Sequence, residues 1–226
     1  MKWQSNEIVV NRSARKKTMH IVIERDGTIS VQVPIDMLDE NILSVLDAKE
    51  YDVYKKIAQW KESNQERVER QYHSGQSFLY LGKNYNLQIV EGQQKALVVQ
   101  QGKFLLSSQV KYPREAFVRF YKQKAKEKII ERYKHYLPQI GVEPKLVQVK
   151  EMPTRWGSCT PAKNIFYNWR CVMAPIAVLD YVVVHELVHL IHHNHSREFW
   201  ATVSSILPNY EESKNWLMRN GVKMAL

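Results

Sequence analysis

Five of the eight histidines crowd into one run, His185-Glu186-Leu187-Val188-His189-Leu190-Ile191-His192-His193-Asn194-His195. Its core is H-E-x-x-H. On an α-helix, residues four apart are separated by about 400° of rotation and about 6 Å of rise. His185 and His189 therefore project from one face and can meet a single ion. Glu186 is turned about 100° away from His185; it cannot ligate beside the imidazoles, but it can reach a water that the ion holds. A catalytic zinc takes three protein ligands and leaves its fourth position to water. That water ionises near pH 7, and a carboxylate can take its proton as it attacks a carbonyl. The chemistry implied is hydrolysis with one zinc per chain as cofactor and Glu186 as catalytic base.

The third ligand must come from elsewhere. His192 lies on the same stripe but about 10.5 Å along the axis from His185, so the two cannot share an ion on an intact helix. His195 follows His189 by six residues, the spacing of the longer H-E-x-x-H-x-x-G-x-x-H pattern. His192 occupies the glycine position of that pattern, so the turn must be made differently. Asn194 tolerates the left-handed conformation and is the expected helix end; Ser196 is the expected cap of a further helix over 197–207. Glu198, Glu211 and Glu212 are the rival ligands. A bare histidine patch on the surface is the bland alternative. Against it, residues 176–191 are otherwise strongly apolar, with Val178, Leu179, Val182, Val183, Val184, Leu187, Val188 and Leu190. Two imidazoles and a carboxylate are costly in such a segment unless paired or coordinated. Arg155, Asn168 and Tyr181 are the candidates for substrate or oxyanion contacts. Residues 165–168 are expected to form a strand that could pair an extended substrate along its edge.

The elements that position these groups read as follows. Strands are expected at 7–10, 19–23 and 28–33, the last two joined by Asp26-Gly27, a hairpin signal. A helix from Asp36 or Asp39 to about 61 carries Ile42, Val45, Leu46, Val53, Ile57 and Trp60 as its apolar stripe. Short strands follow at 78–81, 85–90, 96–100 and 104–107, with Gly82, Gly92 and Gly102 turning between them. Pro113 opens a helix toward 137, with Phe117, Tyr121, Ala125, Ile129 and Tyr133 at steps of four. Strands at 145–150 and 164–171 flank Arg155-Trp156-Gly157-Ser158-Cys159. Pro175 begins the helix of the H-E-x-x-H run, and a last helix covers 211–220. The fold class is α+β: a β-rich N-terminal part (1–112) packed with a helical C-terminal domain (113–226).

The chain has 226 residues, with 33 Lys and Arg against 23 Asp and Glu, a net charge of +10. Its composition excludes disorder and collagen-like repeats. The helix at 113–137 carries eight cations and three anions, half of the surplus. Lys122, Lys126 and Lys128 on it are the candidate contacts for nucleic acid, with a solvated helix face as the simpler account. Two cysteines cannot build a disulfide framework. The N-terminus lacks an apolar leader, and no uncharged apolar run is long enough to span a membrane. A cytoplasmic protein with no membrane partner is expected. Gly82-Lys83-Asn84 lacks the remaining residues of a phosphate loop, and Gly157-Ser158 lacks the second glycine of a nucleophile elbow.

These motifs together resemble the YgjP-like, SprT-related zinc metallopeptidases of bacteria. The resemblance runs through Arg155 to Cys159, Asn168-Trp169-Arg170, Ala174-Pro175, Asp180 to His189, Asn194-His195-Ser196 and Phe199-Trp200, ending at Pro208. Arg12 to Lys17, and Ser74-Gly75 through Gly82-Lys83, also fit. The resemblance implies a zincin-like domain with zinc held at His185, His189 and His195 and with Glu186 as general base. It also implies that the turn Trp156-Gly157-Ser158-Cys159 lies close to the metal helix. The expected function is hydrolysis of peptide bonds in a peptide or protein substrate. The alternatives are hydrolysis of nucleotide phosphoanhydrides, with basic residues holding phosphates, and an SprT-type protease associated with nucleic acid.

Overall fold

The computed structural model describes residues 1–4, 6–14, 18–24, 28–64, 71–152 and 155–226, with the side chains of 59–64 left out. The Asp26-Gly27 turn, residues 15–17 and the side chain of Trp60 lie outside the described part. The chain divides into two compact units, Met1–Arg67 and Val68–Leu226. The division falls well before the expected 112/113 boundary, for a reason visible in the packing of residues 77–107 described below.

The first unit holds β1 (Lys2–Trp3), β2 (Asn6–Ser13), β3 (His20–Ile23) and β4 (Ile29–Pro34) in the order β1-β2-β4-β3. β2 runs parallel to β4, and β3 antiparallel to it. Ile29, Val31 and Val33 alternate along β4 and are buried with Trp3, Ile8, Ile42, Leu46 and Val53. The single expected helix is two, α1 (Asp39–Ala48) and α2 (Glu50–Asn64), because the backbone of Lys49 leaves the helical region at φ −113°, ψ 18°. Trp3 donates its indole N–H to Asp47 at 2.7 Å, tying the sheet to α1.

The second unit begins with β5 (Ser77–Tyr80), β6 (Lys83–Val90), β7 (Leu97–Gln100) and β8 (Lys103–Ser107), in the order β5-β6-β8-β7. Phe78, Leu87, Phe104 and Leu106 point from this sheet onto α3 (Pro113–Ile140), where Phe78 stacks on Phe117 at 4.2 Å and Phe104 packs tilted against it at 5.1 Å. These strands share the core of the C-terminal helices, which is why they belong with them rather than with residues 1–67. α3 starts with Pro113 at its first turn and stops at Gly141, whose left-handed backbone (φ 70°) caps it. Phe117, Tyr121, Ala125 and Ile129 are fully buried, and Tyr136 and Ile140 continue the stripe.

A second sheet carries β9 (Leu146–Lys150), β10 (Gly157–Cys159) and β11 (Asn164–Asn168), in the order β10-β11-β9. β11 pairs antiparallel with β10 and parallel with β9. It is therefore the inner strand, and the expected edge at 165–168 is not available to a substrate. The strand also ends earlier than the expected 171. The Asn168 side chain accepts from the Arg170 N–H and turns Trp169–Met173 into a 3-10 helix.

α4 (Ile176–Val188) follows Pro175, and two contacts fix its attitude. At its start, the tip of the β5–β6 hairpin donates Leu81 N–H to Val172 O (2.9 Å) and Gly82 N–H to Met173 O (3.0 Å). Gly82 adopts φ +76°, and a Cβ there would stand 2.7 Å from Pro175 Cγ, so only glycine fits. Along its length, Asp180 takes two bonds from Arg132 of α3, at 2.5 and 2.9 Å, and a third from the Tyr136 hydroxyl at 3.0 Å. α5 (Arg197–Ile206) and α6 (Tyr210–Asn220) complete the unit.

Removing one partner of the Arg132–Asp180 pair leaves the other ion uncompensated in a largely buried place. Asp180→Ala is expected to lower stability by about 3 kcal/mol, read as a drop in the denaturation midpoint. The double variant Asp180→Leu with Arg132→Met should recover much of that loss.

Candidate metal centre

His185 and Glu186 lie in the last turn of α4, and His189 caps it. The helix does not run on through the histidines to Asn194. It tightens: Leu190 N–H donates to Leu187 O (2.9 Å), and Ile191 and His192 both donate to Val188 O (3.0 and 2.9 Å). The chain leaves α4 directly after His189, and Asn194 is not left-handed. Three-residue bonds, which close a helix end without a residue at positive φ, replace the expected Asn194 turn. Ser196 then caps α5, its hydroxyl accepting from Phe199 N–H, as its position predicts.

This path carries His195 back onto α4. Its Nε2 stands 3.0 Å from His185 Nε2, and one ring nitrogen from each of His185, His189 and His195 lies within 4.8 Å of the others. Two nitrogens bound to one zinc at about 2.0–2.1 Å in tetrahedral geometry stand about 3.4 Å apart, so the three rings fit one ion. Phe199 lies fully buried among the three rings, its centroid 4.9, 4.6 and 4.8 Å from those of His185, His189 and His195. His189 sets its Nδ1 against the His192 carbonyl at 2.9 Å, which fixes the ring and leaves Nε2 free for a ligand. His192 thus contributes its backbone; its imidazole turns to the Thr202 hydroxyl. Burial lowers the proton affinity of all three cluster histidines, holding His185 at about 3. Neutral imidazoles are the ligand form, and a set of three suits zinc.

Glu186 is 6% exposed, and its Oε2 has no hydrogen-bond partner. Burial pushes its carboxyl up to about 8, against the opposing pull of the Arg155 charge. β10 closes on it: a Cβ at Gly157 would stand 2.5 Å from Glu186 Oε1, so the strand can approach the carboxylate only as glycine. The implied proximity of this turn to the metal helix is present. An unshared carboxylate oxygen in a buried place is an unusual expense for a fold.

The other sequence candidates divide. Tyr181, one turn before His185, is buried on the same helix face with its ring 5.7 Å from that of His185. Arg155 is exposed and acts on Glu186 by its charge. Asn168 is not a substrate contact. It is fully buried, and its amide donates to Met152 O (2.7 Å) and Arg155 O (3.0 Å). It latches the loop that carries Arg155 instead. The rival glutamates stay out: among the described residues the ligand cluster is the three histidines alone. Glu198 is fully exposed, while Glu211 and Glu212 line an open cleft of about 520 Å³ beside Trp200 and Tyr210. On α3, Lys122 and Lys126 are exposed, whereas Lys128 pairs with Glu131 at 2.7 Å. Arg132, on the same helix, turns inward to Asp180.

Sequence reasoning missed an aromatic wall. Trp200 stacks on His195 (5.6 Å, 23°), and Tyr210 stacks on Trp200 (5.3 Å, 18°). Its traces in the sequence were the Phe199-Trp200 pair and the spacing of α5, which sets Trp200 beside the buried Phe199 and Val203.

No curated protein matches the chain by sequence. Among solved structures it is similar to the metallopeptidase zymogen of Pyrococcus abyssi, abylysin, with 19% identity and a TM-score of 0.37, over 40% of this chain and 91% of that one. Residues 17–220 match the family described as "YgjP-like, metallopeptidase domain". With nearly the whole chain inside that match, the chain belongs to the YgjP-like metallopeptidase family.

Proposed function

We propose that the chain is a zinc-dependent peptidase in which His185, His189 and His195 hold one ion and Glu186 is the general base. The observation that carries this reading is the convergence of three neutral imidazoles within 4.8 Å beside a buried carboxylate with an unshared oxygen. Zinc bound by those rings supplies a Lewis acid and acidifies water. Glu186 takes a proton from the attacking water and returns it to the departing amine nitrogen. Its desolvation raises its proton affinity, which favours the first transfer. Gly157 keeps the loop tight over the carboxylate and limits the paths by which solvent reaches it. On this reading Tyr181 and Arg155 steady the negative charge that develops on the carbonyl oxygen.

Imidazole ligands weigh against the phosphoanhydride alternative, since Mg²⁺ takes oxygen ligands. Of the three lysines that the nucleic-acid reading invokes, Lys128 is already paired with Glu131. The chain has two cysteines, too few for a disulfide framework, which suits a reducing compartment such as the cytoplasm. Among the described residues, no helix is long and apolar enough to cross a membrane.

Elemental analysis of the purified protein should find one zinc per chain. His195→Ala is expected to weaken metal retention by more than the 10–100-fold that loss of an outer-shell partner costs; unchanged zinc content in that variant would remove His195 from the ligand set. Glu186→Gln should keep the metal and lose about 10³-fold in casein hydrolysis, so full activity there removes it as the base. A panel of nucleoside triphosphates assayed beside casein should show turnover of casein alone, and chelation should abolish it reversibly.

A further inference from the structure

The aromatic wall beside the histidines ends on a lysine that the reaction above does not use. Tyr181 stacks on Tyr210 (6.3 Å, 21°), Tyr210 on Trp200, and Trp200 on His195. Lys214, one turn after Tyr210 on α6, sets its Nζ 4.6 Å above the Trp200 ring. The ring restrains an ammonium that would otherwise move freely. That places the exposed ammonium one ring away from His195. After burial and the neighbouring imidazoles, the Lys214 charge is a further cause that lowers the proton affinity of His185 and His195.

Lys214 has no carboxylate partner among the described residues; Glu211 and Glu212, on the same helix, do not pair with it. Arg155 is a second cation acting on the site, and Glu186 is the carboxylate it faces. A divalent ion at the histidines adds two more positive charges. Like charges at this range repel, more strongly in partly desolvated surroundings than in water. Seated on the Trp200 ring and without a carboxylate partner, the Lys214 ammonium can accept an incoming anion.

We propose that Lys214 is a specificity-determining residue that receives a carboxylate of the peptide substrate, from an acidic side chain near the scissile bond or from the chain terminus. The inference rests on the peptidase reading for its substrate class, but not on turnover. Lys214 makes a binding contact: held on Trp200, it selects which peptide lies across the imidazoles, while the bond-breaking groups stay those of α4. Glutamine in a substrate offers no charge to it, and a substrate lysine is repelled.

The test uses the full chain loaded with zinc. Cleavage points in casein-derived peptides are mapped by mass spectrometry. Matched peptides are then made with Glu or Gln at each flanking position, each with a free and an amidated C-terminus. A charge-assisted contact predicts about 10-fold higher kcat/KM for the acidic member. The ratio should fall to near one in Lys214→Gln and invert in favour of Lys-bearing peptides in Lys214→Glu. Which change erases the preference, Glu to Gln or amidation, tells side chain from terminus. The same pairs are titrated by calorimetry against zinc-loaded Glu186→Gln, with and without Lys214→Gln, so that binding is read without turnover. Lys214-dependent binding of acidic peptides that are never cut would sustain the inference and remove the peptidase reading. Cleavage whose acid-to-neutral ratio ignores Lys214→Gln would do the reverse, and equal handling of both peptides in both assays overturns the inference outright.

Discussion

The second unit is organised around a desolvation problem. α4 is almost wholly apolar, and its last turn brings an imidazole and a carboxylate into the same buried surroundings as Val183, Val184 and Leu187. Taking such groups from water costs several kcal/mol each unless something answers them. The protein answers in two ways. Burial favours the neutral form of the histidines, and their rings turn toward one another. Glu186 is left with an oxygen that the fold does not use.

Most of the remaining architecture serves the placement of that last turn. A hairpin tip grips the start of α4 through two backbone bonds and a glycine that lies against Pro175. A bidentate arginine from α3 fixes its middle at Asp180. Phe199 from α5 sits among the three rings, and β10 covers Glu186. Each support comes from a different stretch of chain. A site built this way can be held to a fraction of an ångström, because no single loop sets it.

Periodicity and turn chemistry carried the elements well. The alternation of 28–33, the step-of-four stripe of α3 and the Ser196 cap are local features, and local features are what a sequence displays directly. Where the reading failed, a non-local contact or a subtle backbone preference decided. Residues 77–107 read as part of an N-terminal β-region until their aromatic side chains are seen on α3. β11 reads like any strand, and whether a strand is inner or edge depends on which partners arrive. Asn168 looked like a polar group available for function, yet it is consumed in holding a loop.

The amino-acid sequence by itself displayed the candidate metal-binding groups. Two imidazoles and a carboxylate at H-E-x-x-H spacing on an apolar helix have few stable uses, while the third ligand stayed open between His195 and Glu198, Glu211 or Glu212. Tertiary structure decided everything that depends on approach. It made the return of His195 to within 3.0 Å of His185, the glycine contact that encloses Glu186, and the ammonium above Trp200. Spacing along one helix is a property of the backbone, which every sequence shares. Distances between elements are set by which side chains exclude water between them, and that selection is made only when the whole core closes.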